Sequence, residues 1–299
     1  MDIEIVEVGP RDGLQNESVV LVTEDKVELI GMLAAAGLRR IEIASFVNPR
    51  LVPQMADGDA VIAALPDPAG FSRIGLALNG RGFTRALEAG VDEINFSVMA
   101  TDTFNQKNQG ATTFETLAAF EEVVVGAAGK VPVTLTIGAS FGCPYEGETP
   151  AWRVIEIAER AAAAGASELA LGDTIGVADP KAVTRMVSAV RGVIGDVPIR
   201  CHFHNTRNTG LANAYAAVEA GVRVLDSSIG GIGGCPFAPD ATGNIPTEDL
   251  AYMLGRMGTE TGVDLDRLIE IPPWLSERLG KQVPGMLSRA GRFPSRKSS

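Results

Sequence analysis

At four junctions along this 299-residue chain, among others, an alanine-rich segment closes in Ala-Gly and a short apolar run begins within a few residues. The junctions are Ala36-Gly37 before Arg40-Ile41-Glu42-Ile43, Ala89-Gly90 before Glu93-Ile94-Asn95-Phe96, Ala164-Gly165 before Glu168-Leu169-Ala170-Leu171, and Ala220-Gly221 before Val222-Arg223-Val224-Leu225. Glycine just past a helix end takes the left-handed C-cap conformation, and the apolar run after it reads as a buried strand. The first two glycines are 53 residues apart and the last two 56, so each gap holds two helix–strand units of ordinary size. Filling the gaps predicts strands over 3–8, 40–45, 73–78, 92–97, 132–139, 167–172, 197–204 and 222–227. Helices fall near 23–36, 57–65, 81–89, 103–129, 150–164, 180–194, 208–220 and 247–257. Eight such units with parallel strands specify an α/β fold, the (β/α)8 TIM barrel. A doubly wound sheet also alternates, but it usually opens with a glycine-rich phosphate turn, and no G-x-G-x-x-G follows the first strand. The expectation is one domain over 1–299, with the barrel to about 257 and a C-terminal helical extension over about 258–299. A helix near 264–279, stopped around Pro272-Pro273, would pack under the barrel or over an insertion at its mouth.

Composition narrows the function classes. Lys+Arg number 26 against Asp+Glu 37, a net charge of −11 that argues against nucleic acid or an anionic membrane as partner. No run approaches the roughly 18 apolar residues of a spanning helix, and Met1 to Val8 reads as a strand without the basic start of a secretion signal. Three cysteines, Cys143, Cys201 and Cys235, are too few for a disulfide framework and fit a reducing compartment. A cytoplasmic protein is the expectation.

The two histidines of the chain, His202 and His204, are one residue apart on the seventh predicted strand. At i and i+2 both imidazoles face the same way, into the barrel mouth, and offer a pair of metal ligands, with two core histidines satisfied by hydrogen bonds as the plain alternative. Asp12 across the barrel, and Asn244 if it reaches the site, would add oxygen donors; such a set suits Mg2+ or Mn2+ better than a closed structural zinc. Arg11 beside Asp12 places a permanent guanidinium there, with a turn-forming Arg–Asp salt bridge as the plain alternative. Glu42 lies in an otherwise apolar strand and needs a partner, for which Arg11 is available. Asp173 ends the sixth strand and serves either the site or the next helix as an N-cap. Gly230 to Gly243 holds five glycines and Cys235, and reads as a mobile lid carrying one thiol, a proton donor, a nucleophile or merely exposed. Cys201 has the opposite parity to the histidines and is expected in the core.

These segments together resemble the 3-hydroxy-3-methylglutaryl-CoA lyase family, within the wider set of metal-dependent barrel lyases and Claisen-type synthases. The matching blocks are VGPRDGLQNE (8–17), IEIASFVNP with VPQMAD (41–57), GCPYEGE (142–148), LGDTIGVADP (171–180), HFHN (202–205) and DSSIGGIGGCPFAPDATGNIPTEDLAYML (226–254). R-D-G with H-x-H is common to the wider set, whereas GCPYEGE and GGCPFAPDATGN are more specific to the lyases. The resemblance implies a divalent cation on Asp12, His202, His204 and Asn244, with Arg11 polarising the thioester carbonyl. It further implies that Glu42 and Asp173 support the site and that Cys235 acts from the lid; Gln15, Ser45 and Thr174 are the expected substrate contacts. The implied reaction is retro-Claisen cleavage of the acyl-CoA to acetyl-CoA and acetoacetate, as in leucine degradation, by a homodimer. Arg50 and Lys107 are further candidate contacts for the CoA.

There are departures. Familiar members often read D-T-Y-G after the second histidine where this chain has Asn205-Thr206-Arg207-Asn208, and often a lysine where it has Ser18. Neither removes a proposed metal ligand, but both bear on the acyl group, and relatives that cleave citramalyl-CoA share the scaffold. A synthase running the chemistry in the condensing direction usually carries a further C-terminal domain, and with about 45 residues after the eighth unit it is the less expected enzyme. A non-catalytic acyl-CoA or metal-binding protein is the alternative from another class.

Overall fold

A computed structural model describes residues 2–66, 69–234 and 243–294. Its strands are β1 (Glu4–Glu7), β2 (Arg40–Ser45), β3 (Ser72–Ala77), β4 (Glu93–Met99), β5 (Val133–Gly138), β6 (Glu168–Asp173), β7 (Ile199–Phe203) and β8 (Val224–Ser227). All pair in parallel with their sequence neighbours, and β1 closes on β8 through Glu4↔Val224 to Glu7↔Ser227, so the sheet is a closed barrel. The helices are α1 (Thr23–Ala35), α2 (Gly58–Ala64), α3 (Gly80–Ala89), α4 (Asp102–Gln109), α5 (Thr113–Ala127), α6 (Ala151–Ala164), α7 (Pro180–Ile194), α8 (Gly210–Glu219), α9 (Thr247–Arg256), α10 (Leu265–Leu279) and α11 (Leu287–Ala290). The Ala-Gly grammar works as expected: Gly90 and Gly165 cap α3 and α6 with φ of +88° and +99°.

Two expectations need correction. The single helix over 103–129 is two, because Gly110 at φ +74° ends α4 and Thr112 with Glu115 forms a capping box that starts α5. The helix near 264–279 does not stop at Pro272-Pro273 but runs through both to Leu279. An internal proline forfeits a backbone bond. Here Leu268, Ile271, Pro272, Leu275 and Leu279 are buried, with α10 packed on α1 and α9, and that tertiary burial holds the helix together. The extension then reaches the mouth side, where the Gly285 N–H donates to Gly230 O at 2.8 Å.

The barrel interior is largely polar. Arg40 on β2 donates to Glu168 on β6, strands that are not neighbours, so the contact crosses the axis. Arg40 also bonds Glu4 and Glu93, and buried Arg200 lies 3.5 Å from Glu168, closing a charged layer at the base. Above it Asn95 donates to Glu42 at 2.9 Å and accepts from Thr136 at 2.8 Å. The apolar core lies outside this column, between sheet and helices. Stripping one cation from such a layer strands carboxylates in low dielectric, which costs about 3–5 kcal/mol. Arg40→Met is therefore expected to lower the unfolding free energy by roughly that amount in urea titration; a change below about 1 kcal/mol would show the layer to be solvent-screened.

Candidate active site

The carboxyl ends of the strands gather around a cavity of about 250 Å3 lined by Arg11, Asp12, Gln15, Thr174, His202, His204 and Asp226, among others. After β1 the chain makes a five-residue π-helical turn, Gly9–Gly13, closed by the Gly13 N–H on Val8 O at 3.1 Å. Single π turns recur at functional sites, and this one projects Arg11 and Asp12 inward. Gly13 permits close approach: a Cβ there would stand 2.6 Å from Ser228 Oγ. Arg11 is buried, with Nη1 donating to Asp12 Oδ1 at 2.8 Å and Nη2 to Glu42 Oε2 at 2.6 Å. The pairing anticipated for Glu42 is thus present, and β2 carries a register bulge between Glu42 and Ala44 where it forms. Burial works against the Arg11 cation, but Glu42 and Asp12 more than offset it and hold its pKa above the ordinary arginine value.

His202 and His204 face the mouth together, ring centroids 5.1 Å apart. Ligating atoms of Asp12, His202 and His204 all lie within 4.8 Å of one another. From Gly243 the chain runs antiparallel to the end of β7, Ile245 N–H bonding Phe203 O and Asn205 N–H bonding Gly243 O, which sets Asn244 beside His204. The Asn244 amide donates to Asp12 Oδ2 at 2.9 Å and to Ile232 O at 3.1 Å. Its Oδ1 and the Nδ1 of His204 are buried without a hydrogen-bond partner. Orphaned acceptors beside a carboxylate and two imidazoles are the donor set of a hard or borderline divalent cation, so these residues fit the ion expected from the sequence.

Electrostatics agree with a set of cation ligands. Burial opposes ionisation of Asp12, yet Arg11 and the two histidines hold its carboxyl down at about 2. Burial and the charge of His202 push His204 down to about 4, so it is neutral near pH 7, as a ligand must be. Burial would also lower His202, but the hydrogen bond and charge of Asp226 raise it.

The remaining expected site residues separate. Gln15 and Thr174 line the cavity; Gln15 Oε1 is buried and unbonded, and Thr174 Oγ1 accepts from the Ala139 N–H. Ser45 is buried with an unbonded Oγ but does not line the cavity. Asp173 does not line it either: its oxygens accept from the Val177 and Ala178 N–H groups at 2.9 and 3.0 Å, bracing the loop after β6. It is not the helix N-cap of the plain reading, since Asp179 caps α7. Cys235 lies outside the described residues. Cys201 is buried in the core, its thiol pushed up by burial. Arg50 and Lys107 are exposed at the rim, and Lys107 stacks over the Tyr145 ring at 5.1 Å. Arg207 turns from the cavity to donate to Ile175 O and Gly176 O.

Two buried glutamates went unread. Glu7 accepts from the Gly9 and Ile229 N–H groups and from Thr247 Oγ1, and Glu248 accepts from the Gly230 N–H; together they pin the root of the glycine-rich segment. Burial raises Glu7 to about 7 and Glu248 to about 8. Glu7 carried the same sequence signal as Glu42, a charge between apolar neighbours, whereas Glu248, between Thr247 and Asp249, carried none.

The HMGL-like family profile matches residues 2–273. The chain is 44% identical to the (R)-citramalyl-CoA lyase of Chloroflexus aurantiacus, covering 97% of this chain and 95% of that protein. It is 41% identical to a hydroxymethylglutaryl-CoA lyase of Bacillus subtilis, over 94% of this chain and 95% of that one. The structure of an HMG-CoA lyase from Acinetobacter baumannii in complex with coenzyme A and 3-methylmalate superposes with a TM-score of 0.95 at 39% identity, over 99% and 97% of the two chains.

Glu248 supplies a test of how the segment is held. Its folded pKa of about 8 exceeds the ordinary 4.5, so the neutral acid's contribution to stability is full below pH 4.5 and is lost as pH rises through 8. Glu248→Gln keeps an acceptor for Gly230 and does not titrate. The stability of this variant relative to the native chain is expected to grow between those limits, by on the order of 2–4 kcal/mol in urea unfolding followed across pH. Parallel profiles would contradict this.

Proposed function

The chain belongs to the HMGL-like family of carbon–carbon lyases, and we propose that it cleaves 3-hydroxy-3-methylglutaryl-CoA to acetyl-CoA and acetoacetate. The observation that carries this reading is the convergence of Asp12, His202 and His204 in one cavity beside a buried guanidinium. Asp12, His202, His204 and Asn244 would hold a divalent cation, Mg2+ or Mn2+, which when bound supplies Lewis acidity toward a substrate hydroxyl and carboxylate.

The chain's own groups account for the rest. In this reading the base that takes the proton of the tertiary hydroxyl is Asp12 or His202. As that oxygen becomes a ketone, the bond between C2 and C3 breaks, and its electron pair passes to the thioester as an enolate. Arg11 neutralises the enolate oxygen; its positive charge is in place beforehand because Glu42 holds the guanidinium from behind. The enolate carbon then takes a proton, a role assigned to His202 or Cys235. Gln15 and Thr174 line the cavity where the acyl group would sit.

A second substrate is favoured by a specific observation, the 44% identity to an (R)-citramalyl-CoA lyase. Citramalyl-CoA presents the same thioester and the same methyl-bearing carbinol, with its carboxylate one methylene closer. The identical bond cleavage then yields acetyl-CoA and pyruvate.

Purified protein with Mg2+ and each thioester is expected to release acetyl-CoA, with acetoacetate marking the first reading and pyruvate the second. No cleavage of any 3-hydroxy-3-methyl acyl-CoA would sink both. His202→Ala is expected to lower kcat by more than about 100-fold. Arg11→Lys, which loses the two-sided contact, should cost about 100- to 1000-fold in kcat with a smaller change in KM, and an effect confined to KM would contradict the role given to Arg11.

A further inference from the structure

His202 and His204 are alike in sequence but not in support. His204 Nδ1 is buried with no hydrogen-bond partner, whereas His202 Nδ1 lies 3.2 Å from Asp226 Oδ2. The register of β7 on β8 pairs Arg200 with Val224 and Cys201 with Leu225, so His202 and Asp226 come next, side by side on the inner face. Arg200, two residues before His202 and on the same face, places Nε 3.3 Å from Asp226 Oδ1. One buried carboxylate thus touches both inward side chains of β7. Arg200 is tied in turn to Glu168, and Glu168 to Arg40, so the contact is anchored in the charged layer at the barrel base.

We propose that Asp226 is the positioning residue of the site, fixing the ring plane and tautomer of His202 so that Nε2 carries the lone pair toward Asp12 and His204. A carboxylate ion-paired with a guanidinium is an acceptor only, so the proton it shares with the imidazole sits on Nδ1. A second carboxylate behind a ligating histidine commonly sets its orientation and basicity, and losing it weakens metal binding about 10- to 100-fold. This inference rests on the reading of His202 as a cation ligand, and it assigns the orienting work to Asp226 rather than to Asp12 or Asn244.

The test uses the full chain and the variants D226N and D226E. Asparagine keeps the shape of the side chain and an acceptor for Arg200, but its amide can donate to Nδ1 and favour the opposite tautomer. Imidazole 15N NMR of the metal-free protein is expected to show the Nδ1–H form of His202 in the native chain and in D226E, and its loss in D226N. Mn2+ affinity, measured by electron paramagnetic resonance, is expected to fall about 10- to 100-fold in D226N and to recover most of that in D226E. Thermal unfolding of the metal-free forms separates this from damage to the fold, and D226S serves if D226N does not fold. Native tautomer and native Mn2+ affinity in a folded D226N or D226S would overturn the proposal. Failure of the native chain to bind Mn2+ would instead overturn the cation reading, while the metal-free tautomer still decides the role of Asp226.

Discussion

A guanidinium held between two carboxylates organises the mouth of this barrel. Arg11 is buried, and a buried cation is tolerated only where opposite charges meet it. Asp12 meets it from the same turn and Glu42 from the neighbouring strand. That pairing aims Asp12 at the histidines. It also connects upward to Asn244, which bonds Asp12, and downward through Glu42 and Asn95 to Thr136. The site is therefore the top of a polar column whose charges pair with one another, with Asn244 Oδ1 and His204 Nδ1 left without hydrogen-bond partners at its mouth, and its geometry is set before any substrate arrives.

The column explains why so much charge is placed where barrels usually pack branched aliphatics. Each inward polar residue is costly alone and acceptable within the network. The architecture trades a dry centre for rigid placement: Arg200 and Arg40 hold the carboxylates on which the upper layer stands. Segments remote in sequence are drawn into the same device. Gln54 bonds Val19 O and the Leu21 N–H, and Lys26 bonds Gln54 O and Asp57, so the loops after β1 and β2 form one wall.

What could be read from residues alone followed the range of the physics. Ala-Gly junctions report a helix end locally, and eight units follow from filling the gaps between them with units of ordinary size. The H-x-H pair is local too, because strand parity alone sends both rings inward. Partners on a neighbouring strand leave no such trace: Asp226 is one acidic residue on β8 until β7 is laid beside it. Asp173 shows the reverse, a carboxylate at the right height whose oxygens are spent on the Val177 and Ala178 amides. Pro272-Pro273 failed as a stop signal because burial against α1 and α9 overrides local propensity. The Gly110 break was legible in principle, since Thr112 and Glu115 spell a capping box.

The central claim is that Asp12, His202, His204 and Asn244 form one divalent-cation centre. Anomalous diffraction at the manganese edge, from crystals grown with Mn2+, tests it most directly. The account predicts one strong peak within coordination distance of an Asp12 carboxylate oxygen, both imidazoles and Asn244 Oδ1. A peak that leaves either imidazole uncoordinated, or no peak in this cavity, would contradict it.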